Sequence, residues 1–354
     1  MLDLDHPTPL DLGYRMPAEW NPHAATWTSW PSDDGLWEGE LERVRAEFAG
    51  LVTLLATAED VVINVQDDEA EHDARGRLKA WGADASRIRY HRVALDDAWF
   101  RDNGPIFVVN AYGRVALTDW RFNAWGGKYA HAHDTLAPEA VARTLDMRRF
   151  AFPYVMEGGA VEVNDEGVLI TTRSCLLTPT RNPELAEDEV EAMLRAGLGV
   201  RHVVWLEGGL AGDHTDGHVD TIVRFTDDST IVCAVEDDPD DVNHAATQRN
   251  LADLRALLTA EDEPYRVVEL PLPARRLEYD GRRLPATYAN FYVANGLVVV
   301  PTYDDPNDER ALEVLRPLFP DRRVIGSSAS ALITGGGAFH CVTQQQPEGE
   351  IEHA

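Results

Sequence analysis

NFYVANGLVVVPT, residues 290–302, sets two apolar runs on either side of Asn295-Gly296. Asn-Gly supplies the positive φ angles that a two-residue hairpin turn needs, so this stretch predicts an antiparallel strand pair. An amphipathic segment follows at about 308–318, so the hairpin leads into a helix. The same design recurs upstream. PIFVVN (105–110) and RVALTDW (114–120) flank Ala111-Tyr112-Gly113, with a helix expected at about 136–146. VEVNDEGVLIT (161–171) turns at Asp165-Glu166-Gly167 before a helix at about 184–196. DTIVRFTDDSTIVCAV (220–235) turns at Thr226–Ser229 before a helix at about 243–260. Nearer the start, a helix over 40–58, a strand at 61–65, a helix near 68–81 and a strand at 87–93 continue the alternation. The chain therefore reads as α/β, with repeated hairpin–helix–strand units of roughly 50–75 residues.

Glycine words punctuate the unit junctions: Asn103-Gly104, Glu157-Gly158-Gly159, Glu207-Gly208-Gly209 and Gly335-Gly336-Gly337. Units repeated about one axis would bring these junctions together, and glycine lets backbone approach a central site closely.

Composition narrows the function. The net charge is −29, which disfavours nucleic acid and anionic membrane as partners and favours cations over long range. Lys79 and Lys128 are the two lysines, and arginine supplies the other positive charges. No apolar run approaches a membrane span of about 18 residues. MLDLDHPTPL lacks the basic-then-apolar pattern of a secretory signal. Cys175, Cys233 and Cys341 are sparse, odd in number and unpaired in spacing, so a reducing, cytoplasmic location is expected.

Several segments carry reactive side chains in glycine-rich or aromatic settings. Asp96–Pro105 (DDAWFRDNGP) reads as a loop in which Trp99 and Asp102 offer a stacking face and a carboxylate to a flat cation; an ordinary Asp/Asn/Gly turn fits the local pattern too. Glu157 beside Gly158-Gly159 either serves a site or ends a strand. Asp213–Asp220 (DHTDGHVD) holds two histidines and three aspartates. It suits a metal site using His214, Asp216, His218 and Asp220, or acid–base chemistry with His218 beside Asp220. Arg121–Gly127 suits a pocket wall or a packed loop. His131 and His133 lack a third ligand and read as a solvated loop. Cys341 follows a glycine run and could be exposed at a backbone edge, or buried and inert as most cysteines are. Cys175 and Cys233 fall in strand-like stretches, where the inert reading is preferred.

In order along the chain these blocks resemble the agmatine deiminase family of guanidine-modifying enzymes. The resemblance runs from Met16-Pro17-Ala18-Glu19-Trp20 through DDAWFRDNGP, RFNAWGGK (121–128), MEGGAVEV (156–163), RNP (181–183) and GDHTDGHVD (212–220) to GGGAFHCVTQQQP (335–347). It implies a pentein fold, a five-bladed α/β-propeller of ββαβ-like units forming one catalytic domain over 1–354, with short flexible ends near 1–12 and 347–354. It implies Cys341 as nucleophile, His218 as general acid and base, Glu157 as the partner orienting His218, Asp102 and Asp220 as carboxylates gripping the guanidinium, and Trp99 as a channel wall. The reaction implied is hydrolysis of agmatine to N-carbamoylputrescine and ammonia through an amidino-cysteine adduct, with no metal or organic cofactor. Alternatives are another small guanidine, peptidyl-arginine, or a metal-dependent hydrolase built on the His214/His218 cluster. The expected partner is a small cationic guanidine, and a homo-oligomer is compatible with the reading. Two departures stand out. Ala338-Phe339 replaces the family's usual Asn-Ile, next to the nucleophile and with expected effects on the far end of the substrate. Arg173-Ser174 replaces the usual acidic or polar pair before Cys175.

Overall fold

A computed structural model describes residues 7–353 of the chain. The quoted hairpin forms: Tyr292–Ala294 pairs antiparallel with Leu297–Thr302, Val293 opposite Val298, and Gly296 takes a φ of 67° in the turn. Leu297–Thr302 then pairs in parallel with Arg323–Ser328, after the helix Asp308–Leu315. Parallel neighbours need a crossover long enough to return the chain, and the helix supplies it.

Three more sheets repeat this order. Ile106–Asn110 and Arg114–Arg121 form an antiparallel pair; the helix Ala137–Leu145 leads to the parallel strand Arg149–Val155. Glu162–Val163 and Val168–Thr172 are followed by Glu187–Leu198 and His202–Leu206. Val223–Asp227 and Thr230–Val235 are followed by His244–Arg255 and Arg266–Pro271. The remaining large sheet is built from both ends of the sequence. His23–Ser29, Val61–Val65 and Ile88–Arg92 run parallel, with helices Leu41–Leu55 and Asp68–Trp81 between them, and Thr343–Pro347 joins antiparallel at the edge. That last pairing carries Cys341 from the C-terminal region into contact with N-terminal strands.

Local chemistry sets these boundaries. The Asp67 carboxylate accepts the Ala70 N–H at 2.9 Å to start its helix, and Gly82, at φ 76°, ends it in the left-handed conformation. All five residues of Val61–Val65 are buried, as a strand covered on both faces requires. Full burial of each aliphatic side chain there contributes about 1.5–3 kcal/mol.

Two local expectations are corrected. The stretch around Cys175 is a helical turn, Arg173–Leu176, because Thr172 Oγ1 accepts the Cys175 N–H at 3.3 Å and ends the strand. Within the expected loop 96–105, Phe100–Asn103 forms one turn of helix, which fixes the direction of Asp102. The loose ends expected near 1–12 and 347–354 fall partly outside the described residues. Inside them, Leu10–Leu12 forms a 3-10 turn and Glu350–Ile351 pairs with Arg114–Val115. Among the described residues, no helix is long and apolar enough to cross a membrane.

Candidate active site

The glycine run before Cys341 is a packing requirement. A methyl group on Gly337 would lie 2.7 Å from the Trp99 ring and 3.0 Å from Cys341 Sγ, and one on Gly336 would lie 2.1 Å from His214. Only bare backbone fits between these side chains. Asn290 holds the loop that follows. Its Oδ1 accepts the N–H groups of Ala338 (3.1 Å) and Cys341 (3.3 Å), and its Nδ2 donates to Cys341 Sγ at 3.2 Å. Cys341 is 4% exposed, and its Sγ lies 3.5 Å from Asp220 Oδ2. Burial, with Asp220 and Asp102 nearby, pushes the thiol well above its ordinary range, against the opposing hydrogen bonds from Ala338 and Asn290. These surroundings favour the neutral thiol.

Asp102 lies on the Phe100–Asn103 turn. It accepts Trp125 Nε1–H and the Gly159 N–H, both at 2.9 Å. Burial, then Asp220 and Glu157, raise its carboxyl well above the usual value. Asp220 lies on a 3-10 turn leading into the strand Val223–Asp227. Burial alone would raise it too, but His340, His218 and Arg224 outweigh burial and hold it low. Asp220 Oδ2 is 2.7 Å from His340 Nδ1, and His340 Nε2 is 2.8 Å from Glu19 Oε2. Arg224 lies 2.8 Å behind Glu19. The second oxygen, Asp220 Oδ1, has no hydrogen-bond partner among the described residues, which leaves it able to accept a ligand N–H.

His218 is fully buried. Its Nδ1 is 3.6 Å from Asp102 Oδ2, its Nε2 is 4.0 Å from Glu157 Oε2, and neither nitrogen has a hydrogen-bond partner. Burial pushes its pKa down to about 3, which favours the neutral imidazole. Glu157 is raised by burial, opposed by Arg181, whose Nε lies 2.7 Å from Glu157 Oε1. A methyl group on Gly159 would lie 2.6 Å from His218 Nδ1, 2.8 Å from Asp102 Oδ1 and 3.1 Å from Asp220 Oδ2. Side chains from two distant segments, Asp102 on one and His218 with Asp220 on the other, thus border one bare Cα.

A pocket of about 240 Å³, lined by Trp37, Trp99, Trp125, Tyr129, Asp97 and His214 among others, meets this centre through the Trp99 and Trp125 rings, and none of the five reacting side chains lines it. Trp99 and Trp37 pack with centroids 5.4 Å apart. The structure therefore brings Cys341, His218, Glu157, Asp102 and Asp220 together, with Trp99 on the wall as expected. The metal alternative fails on geometry: His214, Asp216, His218 and Asp220 do not converge. His214 faces the pocket against Trp125 at 5.2 Å, while Asp216 pairs with Lys128 and Arg181. Among the described residues the set close enough to share an ion is Glu157, Cys175 and His218. There Arg181 already supplies the positive charge, and burial keeps the Cys175 thiol protonated. His131 bonds Tyr129 O and His133 bonds Asp96, in keeping with a loop.

Ala338 and Phe339 are fully buried and absent from the pocket lining, so the expected effect on the far end of the substrate has no contact to act through. Sequence reading did not single out Asn290 or the support that His340 and Glu19 give Asp220. Asn290 lies just before the strand Tyr292–Ala294, with no local cue. His340 and Glu19 lie within blocks that were noticed, but their meeting is a tertiary event.

These features define a class: a mixed α/β, pentein-type fold with a thiol, an imidazole and carboxylates at one buried centre. The chain belongs to the Porphyromonas-type peptidyl-arginine deiminase family, which matches residues 15–347. It is 36% identical to an agmatine deiminase of Ectopseudomonas mendocina over 363 aligned positions, covering 96% of this chain and 97% of that one. Its fold is similar to the agmatine deiminase of Enterococcus faecalis, with a TM-score of 0.92, 29% identity, and 98% and 100% of the two chains covered. An agmatine deiminase of C. jejuni with substrate bound aligns with a TM-score of 0.87 at 28% identity, covering 95% of this chain and 97% of that one.

Proposed function

We propose that this chain is an agmatine deiminase, a hydrolase that converts agmatine and water to N-carbamoylputrescine and ammonia. The observation that carries the reading is the convergence on Gly159: two carboxylates and an imidazole border its bare Cα, with the Cys341 thiol 3.5 Å from one of those carboxylates. A guanidinium is a flat cation that two carboxylates can hold by its edges. Its charge compensates Asp102 and Asp220, the two groups that with burial keep Cys341 protonated. Binding therefore favours loss of the thiol proton.

The steps balance as follows. The Sγ–H proton passes to His218 as sulfur attacks the guanidinium carbon and the C–S bond forms. His218 returns that proton to the departing nitrogen, the C–N bond breaks, and ammonia leaves an amidino-cysteine adduct. Neutral His218 then takes a proton from water as its oxygen attacks the same carbon. The C–S bond breaks, the thiol is reprotonated and the urea is released; the second water proton leaves with ammonia as ammonium. Glu157, held by Arg181, favours the transient imidazolium. The scheme uses no metal or organic cofactor.

We read residues 7–353 as one catalytic domain whose five large sheets are the blades of a propeller. The shared strand–strand–helix–strand order supports this, as do the glycine junctions that abut site side chains of other units. Three free cysteines suit a cytoplasmic setting. A narrow pocket walled by four aromatic rings favours an aliphatic tail over a peptide backbone. Ammonia release across agmatine, free arginine, peptidyl-arginine and other small guanidines tests the assignment. Agmatine should give the highest kcat/KM; a higher value for peptidyl-arginine or arginine would overturn it.

A further inference from the structure

The wall of the pocket is continuous with the reacting groups. The Trp99 ring borders Gly337, which borders Cys341 Sγ, and the Trp125 ring lines the pocket while its N–H binds Asp102. Trp99 and Trp125 each touch both the centre and the pocket, so the path past these rings is the one that links a guanidinium at Asp102 and Asp220 to the pocket. Aromatic faces suit methylene groups and a terminal cation alike.

The charged groups around that tail are mostly spoken for. Arg282 pairs with Glu38 at 2.6 Å and Arg283 with Asp241 at 2.8 Å. His214 is pushed down to about 4 by burial, so it is neutral and cannot balance a cation. Asp97 differs: among the described residues it has no ion pair with arginine, lysine or histidine, and its Oδ1 accepts only the adjacent Ala98 N–H at 2.7 Å. We propose that Asp97 receives the ammonium at the far end of the substrate, so that the site recognises a dication with a guanidinium at one end and an amine at the other. This rests on the deiminase reading and adds the group that selects the tail.

The electrostatics agree. Burial, with Asp134 and Asp33 nearby, raises Asp97 to about 7 against the opposing Ala98 N–H and Trp99 side chain. Asp96, also close, is balanced by His133. Tyr129 is the other titratable group facing it from the pocket wall. No cation of the protein supplies the compensation, and a bound ammonium would, pulling the carboxyl into its ionised form.

The test compares agmatine with n-butylguanidine, which carries a hydrogen in place of the amine. In the wild-type chain agmatine should have the higher kcat/KM. Asp97→Asn should reduce the agmatine to n-butylguanidine ratio by about tenfold or more, through KM, and Asp97→Glu should recover part of it. With no variant at all, the agmatine KM should rise relative to that of n-butylguanidine as pH falls through about 7. An unchanged ratio in folded Asp97→Asn, or parallel pH profiles for the two compounds, would overturn the proposal. Calorimetry keeps the two readings apart. If wild type released no ammonia from agmatine, the deiminase reading would fall. Equal agmatine affinity in Cys341→Ser and Cys341→Ser/Asp97→Asn would instead overturn the role of Asp97.

Discussion

The Sγ of Cys341 lies 3.5 Å from Oδ2 of Asp220, with Asn290 Nδ2 at 3.2 Å from the same sulfur. The thiol is thus held between an anion that keeps it protonated and an amide donor that would stabilise a thiolate. On the proposed mechanism a bound guanidinium tips that balance.

Asp220→Asn removes that anion. Burial and Asp102 still raise the thiol, so its pKa should fall without reaching the free-cysteine range. Thiolate absorbance near 240 nm, or the alkylation rate followed against pH, should shift to lower pH while agmatine turnover drops by about a hundredfold or more. An unmoved titration would mean that Asp220 does not govern the thiol.

Gly159→Ala is the sharpest steric test. Its methyl group would collide with His218, Asp102 and Asp220 at 2.6–3.1 Å. Displacing these groups by even an ångström should cost at least about a hundredfold in kcat. The circular dichroism spectrum should remain that of wild type.

The three cysteines should separate cleanly. Cys341→Ser should abolish ammonia release. Cys175→Ala and Cys233→Ala remove fully buried thiols from the core, so each should cost about 1–2 kcal/mol of stability in urea unfolding and keep turnover. Equal loss of activity in all three folded variants would sink the assignment of Cys341.

His218→Ala should stall with agmatine, because ammonia leaves poorly without a proton. With a guanidine-like compound bearing a better leaving group, the Cys341 adduct should form and then hydrolyse slowly, since no base activates water. Intact-protein mass spectrometry reads the trapped species. Near-normal turnover would remove the acid–base role, and activity lost to a chelator and restored by zinc would revive metal chemistry.

Arg181→Met leaves Glu157 buried without its cation. Breaking such a pair on one side should cost about 3–5 kcal/mol in urea unfolding. Arg181→Met combined with Glu157→Gln should recover part of that stability, while turnover stays low.

Much of this protein was legible along the chain. Hairpin turns such as Asn295-Gly296 and apolar runs such as Val61–Val65 encode local conformation, because turn chemistry and burial pattern act over a few residues. The site blocks were legible for a related reason: glycine beside a reactive side chain marks a place where backbone must come close. The five expected site residues do meet, whereas the alternative set with His214 and Asp216 does not. DHTDGHVD gives the two sets equal claim, since spacing along an irregular loop does not say where each side chain points. Only the packing of Gly159, Arg181 and Trp125 against that loop sends His218 inward and His214 toward the pocket. Asn290, Glu19 and His340 were beyond sequence reading for the same reason. Their partners lie tens to hundreds of residues away, and no local pattern records a contact that forms only when Thr343–Pro347 pairs with His23–Ser29 and brings the two ends of the chain together.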